Sequence, residues 1–289
     1  TCESWANLPL NESFATYGEY LWIEYKYGRE EADLHIKSDM DMYLMEASRK
    51  QEDMIRYDYE DKEDMFDGHS YQKGGRILHM LRSYIGDDAF RATLKKYLED
   101  HAYSDVEIHE LRMAAEEVTG EDLNWFFSQW FLSSGHPSLR VRFEDHSEEG
   151  YWEMTVKQVQ KREETPVYIL PFDVDLYSND EVTRKRFRME KREETYRFDA
   201  ADVDWINFDA EKVILGKVDV KMPEEWHTYA LQNGPLYVDR YQSLAWFAET
   251  ANDENGRWEK VYAALDDKFW AIQNKAISEL SRSEEHTSE

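Results

Sequence analysis

Hydrolysis at a metal ion calls for imidazoles and carboxylates at helical spacing, and this chain holds one His-Glu pair with which to begin such a site. His109-Glu110-Leu111-Arg112-Met113 opens like an H-E-x-x-H helix, in which two histidines one turn apart grip zinc. Met113 stands where the second histidine is required, so that segment cannot do the work. Two other stretches place reactive side chains in unusual company. Asn11-Glu12-Ser13-Phe14-Ala15-Thr16-Tyr17-Gly18-Glu19-Tyr20-Leu21 puts an acid at the start of an amphipathic run, and His69-Ser70-Tyr71-Gln72-Lys73-Gly74-Gly75-Arg76-Ile77-Leu78-His79-Met80-Leu81 puts a phenol just before a glycine pair. Read alone, Glu12 is a capping or surface charge favoured by the helix dipole. Tyr71 is then a half-buried tyrosine at a helix start. Gly74 and Gly75 permit close backbone approach, and Lys73 buttresses rather than reacts. His69 and His79 fall at no metal-ligand spacing from Glu12 and read as structural, as do His35, His101 and His109.

Taken as strings, the two stretches say more. Trp5-x-x-Leu8-x-Leu10-Asn11-Glu12-x-Phe14-Ala15 resembles the segment of the M1 family of zinc aminopeptidases that carries the third zinc ligand. The resemblance implies that Glu12 is that ligand. Tyr71-x-Lys73-Gly74 is similar to the family's Tyr-x-Lys-Gly segment, which implies that Tyr71 donates a hydrogen bond to the oxyanion formed on the substrate. Pro9 and Ser13 depart from the tryptophan and glycine of the commonest family version. The resemblance implies a zinc cofactor whose two histidine ligands would lie upstream of Thr1, the second about eight positions before it, with roughly 18 residues between that histidine and the glutamate. It also implies a general-base glutamate and a Gly-Ala-Met-Glu-Asn motif for the substrate's amino end, neither of which is in these residues. The implied activity is removal of single residues from peptides with a free N-terminus by zinc-activated water, and the implied partners are those peptides. The chain by itself, with one ligand of three, is expected to be an inactive fragment. The alternatives are an M1-like scaffold that has lost zinc and serves protein interaction, and a dual-function relative that opens a lipid epoxide.

Composition narrows the class. A net charge of -27 over 289 residues excludes a nucleic-acid binder, which needs a basic face, and suits a solvated surface or attraction of cationic peptides. No apolar run approaches the roughly 20 residues of a membrane span. Cys2 is the single cysteine, so no intrachain disulfide forms within this sequence. The compartment stays open.

The elements that must hold these residues change character along the chain, giving an α+β multidomain class. Residues 1–138 read as helical, and the resemblance implies that they are the helical half of a thermolysin-like catalytic domain. Within them Ser104-Asp105-Val106-Glu107 forms a capping-box pattern ahead of Ile108, Leu111, Ala115 and Val118, with Gly120 placed to stop the helix. Leu123, Trp125, Phe126, Trp130 and Phe131 make the next helix too apolar to stand free. Met40, Met42, Met45, Met54 and Met65 read as adaptable core. Gly135-His136-Pro137 breaks the helical period, and Trp130-Phe131-Leu132-Ser133-Ser134-Gly135-His136-Pro137 is similar to the end of the M1 catalytic domain. Residues 139–222 alternate as half-buried strands of a small antiparallel β-sandwich, with Val167 and Ile169 in one phase, Phe172, Val174 and Leu176 in the other, and a bulge or strand change expected at Pro171. Residues 223–281 read as the truncated beginning of an α-helical, HEAT-like solenoid, poorly supported without neighbours. Residues 282–289 resemble a sequencing-adapter scar and are set aside.

Overall fold

The computed structural model describes residues 1–161, 165–179, 181–252 and 254–287. A 3-10 turn at Trp5–Asn7 leads into α1 (Pro9–Tyr27) and α2 (Arg29–Ala47), then a π-helical turn (His69–Lys73) runs directly into α3 (Gly74–Ile85). The helices α4 (Asp87–Asp100), α5 (Ile108–Thr119) and α6 (Asn124–Trp130) complete this first body. Pro9 sits at the first position of α1, where its fixed φ and missing N–H cost nothing. As its composition demands, the α6 segment is packed, with Leu123, Phe126, Phe127, Trp130 and Phe131 all buried. Met54 and Met65 are core residues, whereas Met42 and Met45 face solvent.

The cap of α5 lies elsewhere than the sequence pattern predicts. Ser104 turns back to donate to His101 O at 2.9 Å, and the Glu107 amide donates instead to Glu110 Oε2 at 2.8 Å. The first free helical amide, Ile108 N, is satisfied from a distance by Asn7 Oδ1 at 3.1 Å. The capping box has moved to Glu107 and Glu110, and the added tertiary acceptor ties the start of α5 to the entry of α1. Gly120 does end the helix, with φ 73°.

Two small sheets follow. One has the order β5 (Glu193–Phe198), β2 (Tyr151–Gln158), β1 (Ser138–His146), β7 (Lys217–Val220); the other has β4 (Glu181–Met189), β3 (Leu170–Ser178), β6 (Trp205–Phe208). The expected all-antiparallel arrangement has one exception, because β7 lies parallel to β1 with Ser138 opposite Lys217. The cause is where β7 begins. Lys217 N donates to Pro137 O at 3.0 Å, and a Cβ on Gly216 would come within 2.4 Å of that same oxygen, so only glycine lets the two strands start side by side.

No phase change occurs at Pro171. Tyr168 and Leu170 are buried in step with Phe172, Val174 and Leu176, while Val167 is exposed, and β3 pairs continuously with β4 across Pro171. The Tyr168 ring packs 4.9 Å from Trp130, and its hydroxyl donates to Ser134 O at 3.2 Å. An aromatic with a polar tip therefore takes the inward place that valine was expected to hold. On the other face of β3, Asp173 and Asp175 are held bidentate by their cross-strand partners Arg186 and Arg184.

The helices α7 (Glu224–Asn233), α8 (Tyr237–Thr250), α9 (Trp258–Ala263) and α10 (Trp270–Thr287) pack on one another around Leu231, Leu244, Phe247, Val261 and Ile272. Arg240 anchors them to the first body, donating to Asp267 Oδ2 at 2.8 Å and to Glu30 Oε1 on α2 at 2.5 Å. Within the run set aside as a scar, α10 extends through Thr287, and residues 288 and 289 lie outside the described residues. Among the described residues no helix is long and apolar enough to cross a membrane.

Candidate active site

Glu12 occupies the first turn of α1, half-buried, its amide donating to Leu8 O at 3.1 Å. Tyr71 is the middle residue of the π-turn, where Lys73 N reaches five residues back to Gly68 O at 2.9 Å. Such turns are rare and re-aim the side chains they carry. The neighbours of these two residues lock the elements together. Ser13 points inward and its Oγ donates to Ser70 O at 2.8 Å. A Cβ on Gly74 would fall 1.7 Å from that same Oγ and 3.1 Å from Met54 Cε, so α1 meets the start of α3 only because residue 74 has no side chain. Glu12 and Tyr71 thereby face each other. Burial raises the Tyr71 pKa, and the Glu12 carboxylate, accepting from the phenol and repelling a phenolate, raises it further. The phenol stays a proton donor at neutral pH.

A second layer fixes the π-turn. Asp67 accepts from the amides of His69 at 3.1 Å and Ser70 at 3.0 Å, and its carboxylate is gripped by Arg56 at 2.8 and 3.0 Å. Arg56 and the turn's backbone hold the Asp67 carboxyl below its ordinary range against the opposing effect of burial. His69 lies fully buried with Nδ1 3.0 Å from Glu46 Oε1 and Nε2 accepting from Glu52 N at 3.3 Å. That pairing assigns the proton to Nδ1 and keeps the ring neutral, and burial lowers its pKa. Lys73 is buried with its ammonium 5.8 Å from the centre of the Tyr43 ring and without a hydrogen-bond partner among the described residues. Burial brings its pKa down to about 8.

His79 is internal too, with Nδ1 3.1 Å from the Tyr17 hydroxyl, and desolvation lowers its pKa well below the usual value. Glu46, Asp67 and His69 bring ligand-type atoms within 4.8 Å of one another, but Arg56 already holds both Asp67 oxygens. Neither that trio nor the trio Glu144, His146 and Glu153, of which only Glu144 is exposed, includes Glu12. The Ser13 bond, the Asp67–Arg56 pair and the Glu46–His69 pair have no local sequence signal, since each joins segments 11 to 57 residues apart.

The fold around these residues is that of an aminopeptidase. It matches 93% of this chain to 32% of Legionella pneumophila aminopeptidase A, solved in complex with aspartic acid, at a TM-score of 0.73 and 18% identity. Residues 1–130 match the peptidase family M1 domain. Tricorn protease-interacting factor F2 of Thermoplasma volcanium is 34% identical over 145 residues, 49% of this chain and 18% of its own length. Aminopeptidase M1 of Arabidopsis thaliana is 32% identical over 153 residues, 50% of this chain and 17% of its own length. Over its first 130 residues the chain is similar to the M1 aminopeptidases, and it spans less than a fifth of the length of these curated relatives.

Proposed function

We propose that Glu12 and Tyr71 form the carboxylate and phenol side of a zinc-dependent aminopeptidase site acting on peptides with a free N-terminus. The observation that carries this reading is the lock between Ser13, Ser70 and Gly74, which sets the two side chains opposite each other at a rare helical turn. As a ligand Glu12 fits, being a half-buried carboxylate whose facing partner is a neutral phenol. The donor set is nevertheless incomplete, because a catalytic zinc of this type takes three protein ligands and an open position. When bound, the ion supplies a nucleophilic water and polarises the scissile carbonyl. Tyr71 has a task of its own. A donor aimed at the carbonyl oxygen stabilises the charge that grows there as the carbon becomes tetrahedral, worth roughly 3 kcal/mol. Its raised pKa keeps the proton on the phenol throughout.

The reading has two tests. The 289-residue chain should show no micromolar zinc site and no hydrolysis of aminoacyl anilides; one micromolar zinc per chain would sink the assignment of Glu12 as one ligand of three. The coding sequence preceding Thr1 should supply H-E-x-x-H at the spacing given above. Replacement of either histidine there would favour a non-catalytic scaffold.

A further inference from the structure

The sequence holds two Asn-Gly pairs, Asn233-Gly234 and Asn255-Gly256, and the fold treats them in opposite ways. This dipeptide carries its own reagents. The glycine nitrogen can reach the asparagine side-chain carbonyl carbon with no Cβ of its own in the way, and proximity favours closure of a five-membered ring.

Asn233 is the last residue of α7, and Gly234 N donates to Ala230 O at 2.9 Å. That nitrogen is engaged in the helix, and helical backbone angles hold the side-chain carbonyl away from it. Asn255 lies in the connection between α8 and α9, where both it and Gly256 are exposed. Gly256 N has no hydrogen-bond acceptor among the described residues. The Asn255 side chain, by contrast, is aimed. Its Oδ1 accepts from Asn252 N at 3.1 Å and from Arg257 N at 3.2 Å, and its Nδ2 donates to Thr250 O at 2.9 Å. Two amides on one carbonyl oxygen draw electrons from its carbon and stand where negative charge gathers during attack. An activated electrophile therefore sits beside a free nucleophile.

We propose that Asn255 is a site of spontaneous deamidation, converted through a succinimide to aspartate and isoaspartate with water as the only co-reactant. Gly256 N gives its proton to solvent base and bonds to Asn255 Cγ, which places charge on Oδ1 between the two donating amides. Collapse of that intermediate breaks the Cγ–Nδ2 bond, and Nδ2 leaves as ammonia with a proton taken from solvent. Water then adds to one of the two ring carbonyls and breaks that carbon's bond to the glycine nitrogen. Opening at Cγ gives aspartate. Opening at the backbone carbon gives isoaspartate, in which the chain runs on through the former side chain.

The consequence falls on α9. Asn255 ties Thr250 O, at the end of α8, to the amide of Arg257, the residue from which α9 starts. The Arg257 guanidinium donates to Thr250 O at 3.3 Å and to Glu224 of α7 at 2.6 Å, and it lies 4.5 Å from the centre of the Trp246 ring. Both products lack the Nδ2 donor, and isoaspartate also lengthens the backbone, so the tie that seats Arg257 among three helices is lost. The inference does not rest on the peptidase reading.

Incubation of the 289-residue chain in warm, mildly alkaline buffer, folded or in urea, followed by peptide mapping with mass spectrometry, tests it. In urea the two asparagines should react at similar rates. In the folded chain Asn233 should slow at least about tenfold, while Asn255 keeps its urea rate or exceeds it and yields isoaspartate beside aspartate. Hydrogen exchange should show α9 losing protection in the converted chain. Asn255→Ser, which cannot form the ring, should keep its α9 protection unchanged through the same incubation. The proposal is overturned if Asn255 slows on folding as much as Asn233 does, if isoaspartate is absent from its products, or if α9 exchanges alike before and after conversion.

Discussion

Ser13 and Gly74 share one contact, and it fixes the distance between the helix bearing Glu12 and the turn bearing Tyr71. The serine hydroxyl fills the space that a Cβ at position 74 would need, 1.7 Å away, while donating to Ser70 O at 2.8 Å. Gly74 has ordinary helical backbone angles, with φ -63°, so it is required for space rather than for conformation.

Gly74→Ala therefore sets two effects against each other. Helix propensity favours alanine by about 1 kcal/mol, whereas forcing a methyl into a filled contact costs about 1–3 kcal/mol or more. We expect net destabilisation of about 2 kcal/mol in urea unfolding. Ser13→Gly in the same chain should restore most of it, since only the 3.1 Å contact to Met54 Cε then remains. A Gly74→Ala chain as stable as the parent would refute the contact.

Glu12→Gln removes the charge that faces the phenol. The Tyr71 pKa should move down toward its ordinary value of 10.0, because burial alone then holds it up. Carbon-13 labelling of tyrosine, with Tyr71→Phe to assign the resonance, reads this directly. An unmoved titration would mean that the two side chains do not interact in solution.

In an active parent enzyme Tyr71→Phe should lower kcat about 10²- to 10³-fold with little change in KM, as expected for a donor engaged only in the transition state. A rise in KM at unchanged kcat would assign the phenol to substrate binding instead.

Lys73 makes stability depend on alkaline pH. Its folded pKa of about 8 lies below the ordinary 10.5, so the unfolded chain binds the extra proton and stability rises with pH across that interval. Lys73→Met removes a buried, unpartnered charge and should stabilise the chain at pH 7 by on the order of 2–3 kcal/mol. That advantage should shrink steadily between pH 8 and pH 10. A pH-independent difference would show that the ammonium is solvated in the folded chain.

At the acid end one such group, beside His69, His79 and His136, is His227, stacked 4.1 Å from Trp246, with its pKa pulled down by burial to about 4. The unfolded histidine takes up its proton near 6.5 and the folded one only near 4, so stability falls as pH drops through that window. His227→Phe keeps the stack and removes the titration. Its acid unfolding midpoint should shift to lower pH, and an unshifted midpoint would place the acid lability elsewhere.

How much of this was legible in the sequence follows from which interactions are local. The helices, the alternating strands around Val141 and Met154, and the Gly120 stop rest on periodicity and backbone preference, and they stand where the pattern puts them. The cap of α5 does not, because the box forms between Glu107 and Glu110 rather than at Ser104, with Asn7 adding an acceptor from about a hundred residues away. Tyr168 overturned the strand phase because its neighbour Trp130 comes from another element. The strings around Glu12 and Tyr71 were readable as a resemblance. The serine that locks them together was visible only as a departure from the usual glycine, and its purpose emerges from its partner at Ser70.

The pairing of β1 with β7 also bears on modularity. Pro137 and Gly216 touch where the chain leaves the helices for the sheets and where its last strand begins, so entry and exit are separated by about one strand spacing, close to 4.8 Å. Everything between them is a closed excursion. A short linker could span from residue 137 to residue 217, yet the excursion is no detachable cassette: Tyr168 against Trp130, Gln129 against Ile169 and the core shared with the helices make it a keystone whose loss would open both flanks.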